Sequence, residues 1–434
     1  MSDGREQTEA GVPADAQSWS VTPRLPDYQF VLLLGGISVL GPLATNMYLP
    51  ALTDVSGSLG ATTAAVQQTV AFFMFGLAGG QIIWGVLGDR IGRRGPILAG
   101  TAVFLIGSTL CATSDSAAAL SSARLLQGIG ASAGTVLARA IVSDCFAGNR
   151  AVAMMSWQQL IQGIAPIFSP LLGAVILTFR GWRLIFWLLA ALSACLLAAV
   201  ALRLPETRAA SGTDEGRRHG EGTPPQPLFR HKELMLRILG GAFCAGVLSI
   251  WYNGASTLFR ESFGWSLQST AVLISLLGVL IVVATQANRR LVVRWGARGM
   301  IAGTIKASLA VLVPVLLVAI VQPAGADVIV AAGLIFATAA YGFVSANNMV
   351  EILALDRSRA GSVAAIAGVA THALGGILGL AISYLPVWGG ASIIGLMIAT
   401  LVAAAALIRG SERAAIKQQT EASGLAAKSS PREK

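Results

Sequence analysis

Twelve apolar stretches, each long enough to cross a bilayer as a helix, follow one another along this chain with only short connections between most of them. They lie near residues 28–52, 63–87, 96–113, 118–141, 151–178, 182–204, 234–258, 266–286, 299–321, 327–353, 361–385 and 387–409. A helix rises 1.5 Å per residue, so about 20 apolar residues cover the hydrocarbon of a membrane. A chain filled with such stretches has no polar surface with which to be a water-soluble globule. The composition agrees: of 434 residues, 54% are hydrophobic and 12% charged, against about 25% charged in a soluble domain. Backbone in lipid must satisfy its own hydrogen bonds, and helices do so locally. The expected fold is an all-α membrane protein of twelve spanning helices.

Arginine placement orients it. Connections on one side carry Arg90, Arg93, Arg94, Arg139, Arg150, Arg289, Arg290, Arg294, Arg298, Arg357 and Arg359, and those on the other only Arg180, Arg183 and Arg260. Cytoplasmic loops hold the excess of basic residues, so both termini are expected in the cytoplasm. The net charge of +10 then reflects topology, not nucleic-acid binding. Residues 1–27 form a polar tail without a signal-peptide pattern. Residues 28–204 and 234–409 form two six-helix halves, joined by a Gly-, Pro- and charge-rich linker over 205–233, and the polar tail over 410–434 is expected to be disordered. The four cysteines are scattered and read as small apolar helix residues, with neither metal nor redox spacing. No phosphate loop or nucleotide motif is present, so nothing suggests ATP hydrolysis; neither enzymatic activity nor a cofactor is expected.

The halves share a weak repeat. "GVLGDRIGRRG" follows the second stretch and "NRRLVVRWGARG" the eighth; superposing Arg90 on Arg294 also puts Gly92 on Gly296 and Arg94 on Arg298, while Asp89 falls on Val293. Paired halves are the sequence sign of a transporter that rocks about a central site. In the first loop, Gly85 and Gly92 permit a sharp turn, Asp89 can bond an arginine or a helix N-terminus, and Arg90, Arg93 and Arg94 anchor the inner face. This loop resembles the signature loop of the major facilitator superfamily, which latches the two halves of those proteins when their cavity faces outward. "SARLLQGIGASAG" sets Arg124 and Gln127 within the fourth stretch. An intramembrane arginine is costly and therefore a functional candidate, the competing reading being one satisfied by helix carbonyls. The string looks like the family's second motif, whose arginine is linked to proton transfer. "APIFSPLLGA" in the fifth stretch, with Pro166, Pro170 and Gly173, looks like a degraded form of the family's antiporter motif; Ser169 and Ala174 stand where glycine is usual.

"GPLATNMYLPAL" and "VSANNMVEIL…AGSVAAIAG" are similar to the bicyclomycin/chloramphenicol-resistance-type drug exporters within that superfamily. That subfamily usually has an aspartate at the position of Asn46. An asparagine keeps the shape and the hydrogen bonding but does not titrate. Ser38, Pro42 and Asn46 recur every four residues and share a helix face, which points to Asn46 as a cavity-lining binding or gating residue; a packing hydrogen bond is the alternative. Tyr48 is a cavity candidate beside it. Trp251 and Tyr252 are candidates for the substrate surface, against an interfacial aromatic belt.

With Asn46 neutral, Arg124, Glu351 and His372 remain as proton-coupling candidates. Glu351 could instead pair with Arg357 or Arg359, and His372 could be a packing residue. The resemblance implies a monomeric exporter of the bacterial inner membrane, exchanging a small-molecule substrate for protons by alternating access. Two alternatives remain: a facilitator or importer of a polar metabolite, and a transporter-like receptor or scaffold.

Overall fold

The computed structural model describes residues 27–146, 148–207, 231–356, 359–385 and 390–429. Most of the tail expected over 1–27, most of the linker expected over 205–233, and Arg357 lie outside these residues.

Within them the chain is helical, with α1 (Asp27–Asn46), α2 (Leu52–Leu59), α3 (Thr63–Ile91), α4 (Arg94–Ala112), α5 (Ala117–Cys145), α6 (Gly148–Arg180) and α7 (Arg183–Arg203) in the first part. The second part holds α8 (Lys232–Thr257), α9 (Leu267–Val321), α10 (Ala326–Ala339), α11 (Tyr341–Leu355), α12 (Ala360–Tyr384) and α13 (Ala391–Ser429). Side chains start several of them. Thr62 accepts from the Ala65 amide, Ser116 from that of Ala119 and Ser266 from that of Ser269, each satisfying a donor that the first helical turn leaves free.

Eleven segments among the described residues are long and apolar enough to cross a bilayer. One of them, α9, runs 55 residues and breaks at Gly296, whose φ of 68° and ψ of 164° are not helical. Its two arms correspond to the eighth and ninth stretches of the sequence. Gly92, the residue that superposes on Gly296 in the repeat, breaks the chain between α3 and α4 in the same way, with φ 94° and ψ 177°. Side-chain-bearing residues rarely adopt this conformation. The weak repeat is therefore a repeat of backbone geometry.

Two expectations are corrected. The first stretch is not one helix: α1 ends at Asn46, a 3₁₀ turn follows at Leu49–Ala51, and α2 then begins. Pro50 sits in the first positions of that turn, where its missing N–H costs nothing. The tail after residue 409 is helical as far as Ser429, where α13 ends. Its "SERAAIKQQTEASGLAAK" is rich in Ala, Glu, Lys and Gln, strong helix formers that extend an already nucleated helix.

Helices α1 and α3–α7 pack on one another, as do α8–α13, and the two sets meet where α3 lies against α12 and α6 against α9. Phe73, Phe104, Tyr48 and Phe186 are buried in the first set, and Trp251, Phe259, Leu277 and Met397 in the second. Leu49, from the turn after α1, is buried in the second set's core.

Candidate functional site

Arg124 organises the interior of the first set. It lies two turns into α5 and is 0% exposed. Its Nη1 donates to Gln127 Oε1 at 2.6 Å and to the Ala44 carbonyl at 3.1 Å. The guanidinium carbon lies 4.1 Å from the ring centre of Phe73, 4.9 Å from Tyr48 and 5.8 Å from Phe186. Gln127 in turn donates to Ser108 at 2.8 Å, and the Tyr48 hydroxyl bonds Thr69 at 2.9 Å. Nε and Nη2 of Arg124 are buried without a hydrogen-bond partner. Among the described residues no carboxylate neutralises this charge; aromatic faces and dipoles offset part of its desolvation. Arg124 and Gln127 were legible as neighbours, three residues apart on one helix. Phe73 and Phe186 were not, because single phenylalanines in apolar helices carry no local signal.

Asn46 ends α1 and is 3% exposed. Its Nδ2 donates to the Pro42 carbonyl at 2.8 Å, while Oδ1 is buried with no partner. One face of α1 does carry Ser38, Pro42 and Asn46, but at Ser38 it is a seam between helices. Ser38 donates to the Leu34 and Gly134 carbonyls and accepts from Gln158 Nε2 at 2.8 Å. Trp251 does not sit in an interfacial belt: it is 1% exposed and lies tilted against Phe259, ring centres 6.3 Å apart, in the second set's core, with its Nε1 unpartnered. Tyr252 is half-buried against the same core. The far end of α8 is covered by other helices and by Leu49, so depth along the span misled the sequence reading.

The two sets are strapped together at the end where α2 and α3 join. Arg260, in a π-helical turn at Leu258–Ser262, donates to Asp54 at 2.5 Å and to the Pro50 carbonyl at 3.0 Å. Glu261 accepts from Thr63 at 3.0 Å. Deeper in, Gln67 Nε2 reaches the Asn253 carbonyl at 3.1 Å and Thr257 at 2.9 Å. None of these partners is close in sequence, and the sequence reading missed them.

At the opposite end, the loop over Gly85–Gly95 is held within the first set. Arg93 donates to Asp89 at 2.7 Å and to Asp144 of α5 at 2.9 Å. Burial would ease the loss of its proton, but these two carboxylates outweigh it and raise its pKa above the ordinary arginine value. Glu206 caps α4 by accepting from the backbone amides of Arg93 and Arg94 at 2.7 and 3.1 Å. Arg94 donates to the Ala201 carbonyl, and Arg90 is exposed.

The second set carries its own cluster at this end. Glu351 accepts from Arg298 at 2.7 Å and from Arg237 at 3.3 Å. Arg359 bonds Asp356 instead. The partners of Glu351 thus come from α8 and α9, not from the loop that follows it.

In α6, Pro166 and Pro170 lie inside the helix, and Gly173 packs where a Cβ would collide with the Met47 carbonyl. His372, midway along α12, has Nδ1 2.8 Å from the Gly368 carbonyl and 3.1 Å from Gln81 Nε2 of α3. It therefore stands on the seam between the two sets. The structure gathers Tyr48, Arg124 and Gln127 into one cluster, and puts Glu351 and His372 in separate ones.

The family described as the Major Facilitator Superfamily matches residues 34–380. An uncharacterized MFS-type transporter of Bacillus subtilis (strain 168) is 33% identical over 252 residues, covering 58% of this chain and 63% of that one. A bicyclomycin resistance protein homolog of Haemophilus influenzae is 27% identical over 272 residues, covering 63% of this chain and 68% of that one. The fold is similar to the crystal structure of a D-xylose-proton symporter, with a TM-score of 0.70 at 16% identity over 88% of this chain and 96% of that one.

Proposed function

The chain belongs to the Major Facilitator Superfamily, and we propose that it is a secondary transporter that exports small molecules in exchange for protons. It is a multi-pass membrane protein. Residues 28–204 and 234–409 act as two rigid halves, rocking about the seams of α3 with α12 and α6 with α9. Substrate enters from the cytoplasm or inner leaflet and leaves on the other side. The arginine distribution supports both termini in the cytoplasm; a bacterial inner membrane and a monomeric protein belong to the same proposal.

The observation that carries this reading is the strap between the halves at the end where α2 and α3 join. Arg260 and Gln67 bond across the halves there, while Arg93, Asp89, Asp144 and Glu206 bond within one half at the other. Bonds that hold one end shut and leave the signature loop to its own half fit a cavity facing the loop side. Arg124, charged and without a carboxylate, supports a role in substrate or proton handling, with Gln127 and Tyr48 fixing its orientation and Asn46 and Trp251 offering unpartnered polar atoms. Glu351 between two arginines supports a structural ion pair over a proton carrier. The bicyclomycin resistance homolog supports antibiotics as the first class of compound to try.

The untitratable amide of Asn46 favours a second reading, a facilitator or importer of a polar metabolite with no proton cycle. The test is a sensitivity screen in a bacterial host stripped of its own exporters, followed by flux of each hit in vesicles with and without an imposed pH gradient. Hits whose efflux follows the gradient support export by proton exchange; uptake indifferent to pH supports the second reading.

A further inference from the structure

His372 presents one ring nitrogen to two groups that make opposite demands on it. Gly368, one turn earlier on α12, offers a carbonyl oxygen, which accepts only; it is 2.8 Å from Nδ1. Gln81 of α3 turns its Nε2, which donates only, to the same atom from 3.1 Å. Nδ1 carries either a lone pair or a proton, so it can serve one of them at a time. With the lone pair, it accepts from Gln81 and ties α3 to α12. With the proton, it donates to Gly368, and the N–H of Gln81 faces another N–H. Gln81 reaches this position because residue 368 has no side chain: a Cβ there would stand 2.5 Å from Gln81 Oε1.

We infer that His372, Gln81 and Gly368 form a proton-controlled latch on the seam between the two halves, closed when Nδ1 is free and released when Nδ1 binds a proton. This deepens the proton-exchange reading above and rests on it. Gln81 lies about 15 Å from the loop end of α3 at 1.5 Å per residue. The contact is in place in this structure, whose strap at Arg260 holds the opposite end shut, so its release by protonation loosens the seam on the loop side. The latch supplies a titrating group in a chain whose first helix carries Asn46 in place of an acid.

The charged group whose field reaches His372 is Arg139 of α5. Other charges on the helices packed against α12, namely Asp89 and Arg90 of α3, Lys232, Glu233 and Arg237 of α8 and Glu351 of α11, belong to the loop ends of those helices.

The test uses the full chain in lipid nanodiscs, with two readouts. The first is ¹⁵N NMR of histidine-labelled protein, in which the three histidines are resolved by subtracting the spectrum of His372→Gln. The second is the distance between nitroxide labels at Leu202 and Val293, both exposed, on cysteines introduced after the four native ones are replaced. At high pH, Nδ1 should be unprotonated with the proton on Nε2. On acidification Nδ1 should gain a proton, and the label distance should lengthen over the same pH range. Gln81→Leu and, separately, Gly368→Ala should keep the titration and lose the distance change. Neutral His372 with its proton on Nδ1, a label distance that ignores pH in the parent, or a distance change that survives His372→Gln would each overturn the latch. The NMR result on the parent decides the matter even if the seam variants do not fold. A latch that passes both readouts in a protein that moves no compound against a proton gradient would stand, and the transport reading would fall instead.

Discussion

Arg124 and Gln127, one turn apart on α5, share a 2.6 Å hydrogen bond at the centre of a cluster to which α1, the turn after it, α3 and α7 contribute Ala44, Tyr48, Phe73 and Phe186. The bond fixes one edge of the guanidinium, the rings fix its plane, and two nitrogens are left unpartnered. A planar, multi-donor cation suits such a site, and a point charge on a flexible stem does not.

Arg124→Ala is accordingly expected to abolish transport, and Arg124→Lys to lose about tenfold or more, equivalent to about 1.4 kcal/mol. Gln127→Leu removes one acceptor and should destabilise the fold by about 1–3 kcal/mol. Flux normalised to the amount of protein, together with thermal unfolding in detergent, checks both. Full activity in Arg124→Lys would reduce the arginine to a positive charge.

Glu351 lies 2.7 Å from Arg298 and 3.3 Å from Arg237, whose side chain is 3% exposed. Glu351→Gln leaves Arg237 with a weakened counter-charge, and a buried pair broken on one side costs about 3 kcal/mol. The expected result is a lower unfolding temperature with the response of flux to the proton gradient retained. If that response disappears in a stably folded Glu351→Gln protein, Glu351 is the proton carrier.

Arg93 is held by both Asp89 and Asp144, the first 73% exposed and the second 26%. The better-shielded pair is the less screened, so Asp144→Ala should slow transport at least as much as Asp89→Ala. The double variant should be worse than either. In all three, binding of a transported compound to purified protein should change little, because the loop is remote from Arg124. Normal flux in a well-expressed double variant would remove this loop from the conformational cycle.

Arg260 ties the π-helical turn to Asp54 and to the Pro50 carbonyl. Arg260→Ala should therefore speed amide exchange across residues 49–63 and 257–266 and shift the protein away from the loop-facing state. Exchange mass spectrometry reads this directly. Unchanged protection in both segments would show that the apolar contacts around Leu49 suffice to close this end.

Asn46→Asp should steepen the pH dependence of flux, since it puts a titrating group at the buried end of α1, beside the Pro42 carbonyl. Asn46→Ala should weaken substrate binding by removing the unpartnered Oδ1. Vesicle flux under pH steps and equilibrium binding report these two effects. An Asn46→Ala protein with binding and flux unchanged would make this amide a bond to Pro42 and nothing more.

The sequence alone determined what depends on neighbours along the chain. Apolar stretches required helices in lipid, and the paired glycines at 92 and 296 marked one backbone break used twice. Arg124 with Gln127, and the loop from Gly85 to Gly95, were visible because their residues lie within a turn or two of each other. Only the tertiary structure decided which helices meet, and with it the partners of the polar groups. Glu351 found Arg237 and Arg298 and not the arginines beside it, Trp251 went to the core and not to the interface, and His372 met Gln81 across the seam. The physical reason is that a buried polar or aromatic group is satisfied by whatever packing brings within about 3–6 Å, and in a bundle of helices those neighbours lie hundreds of residues away in sequence as readily as four.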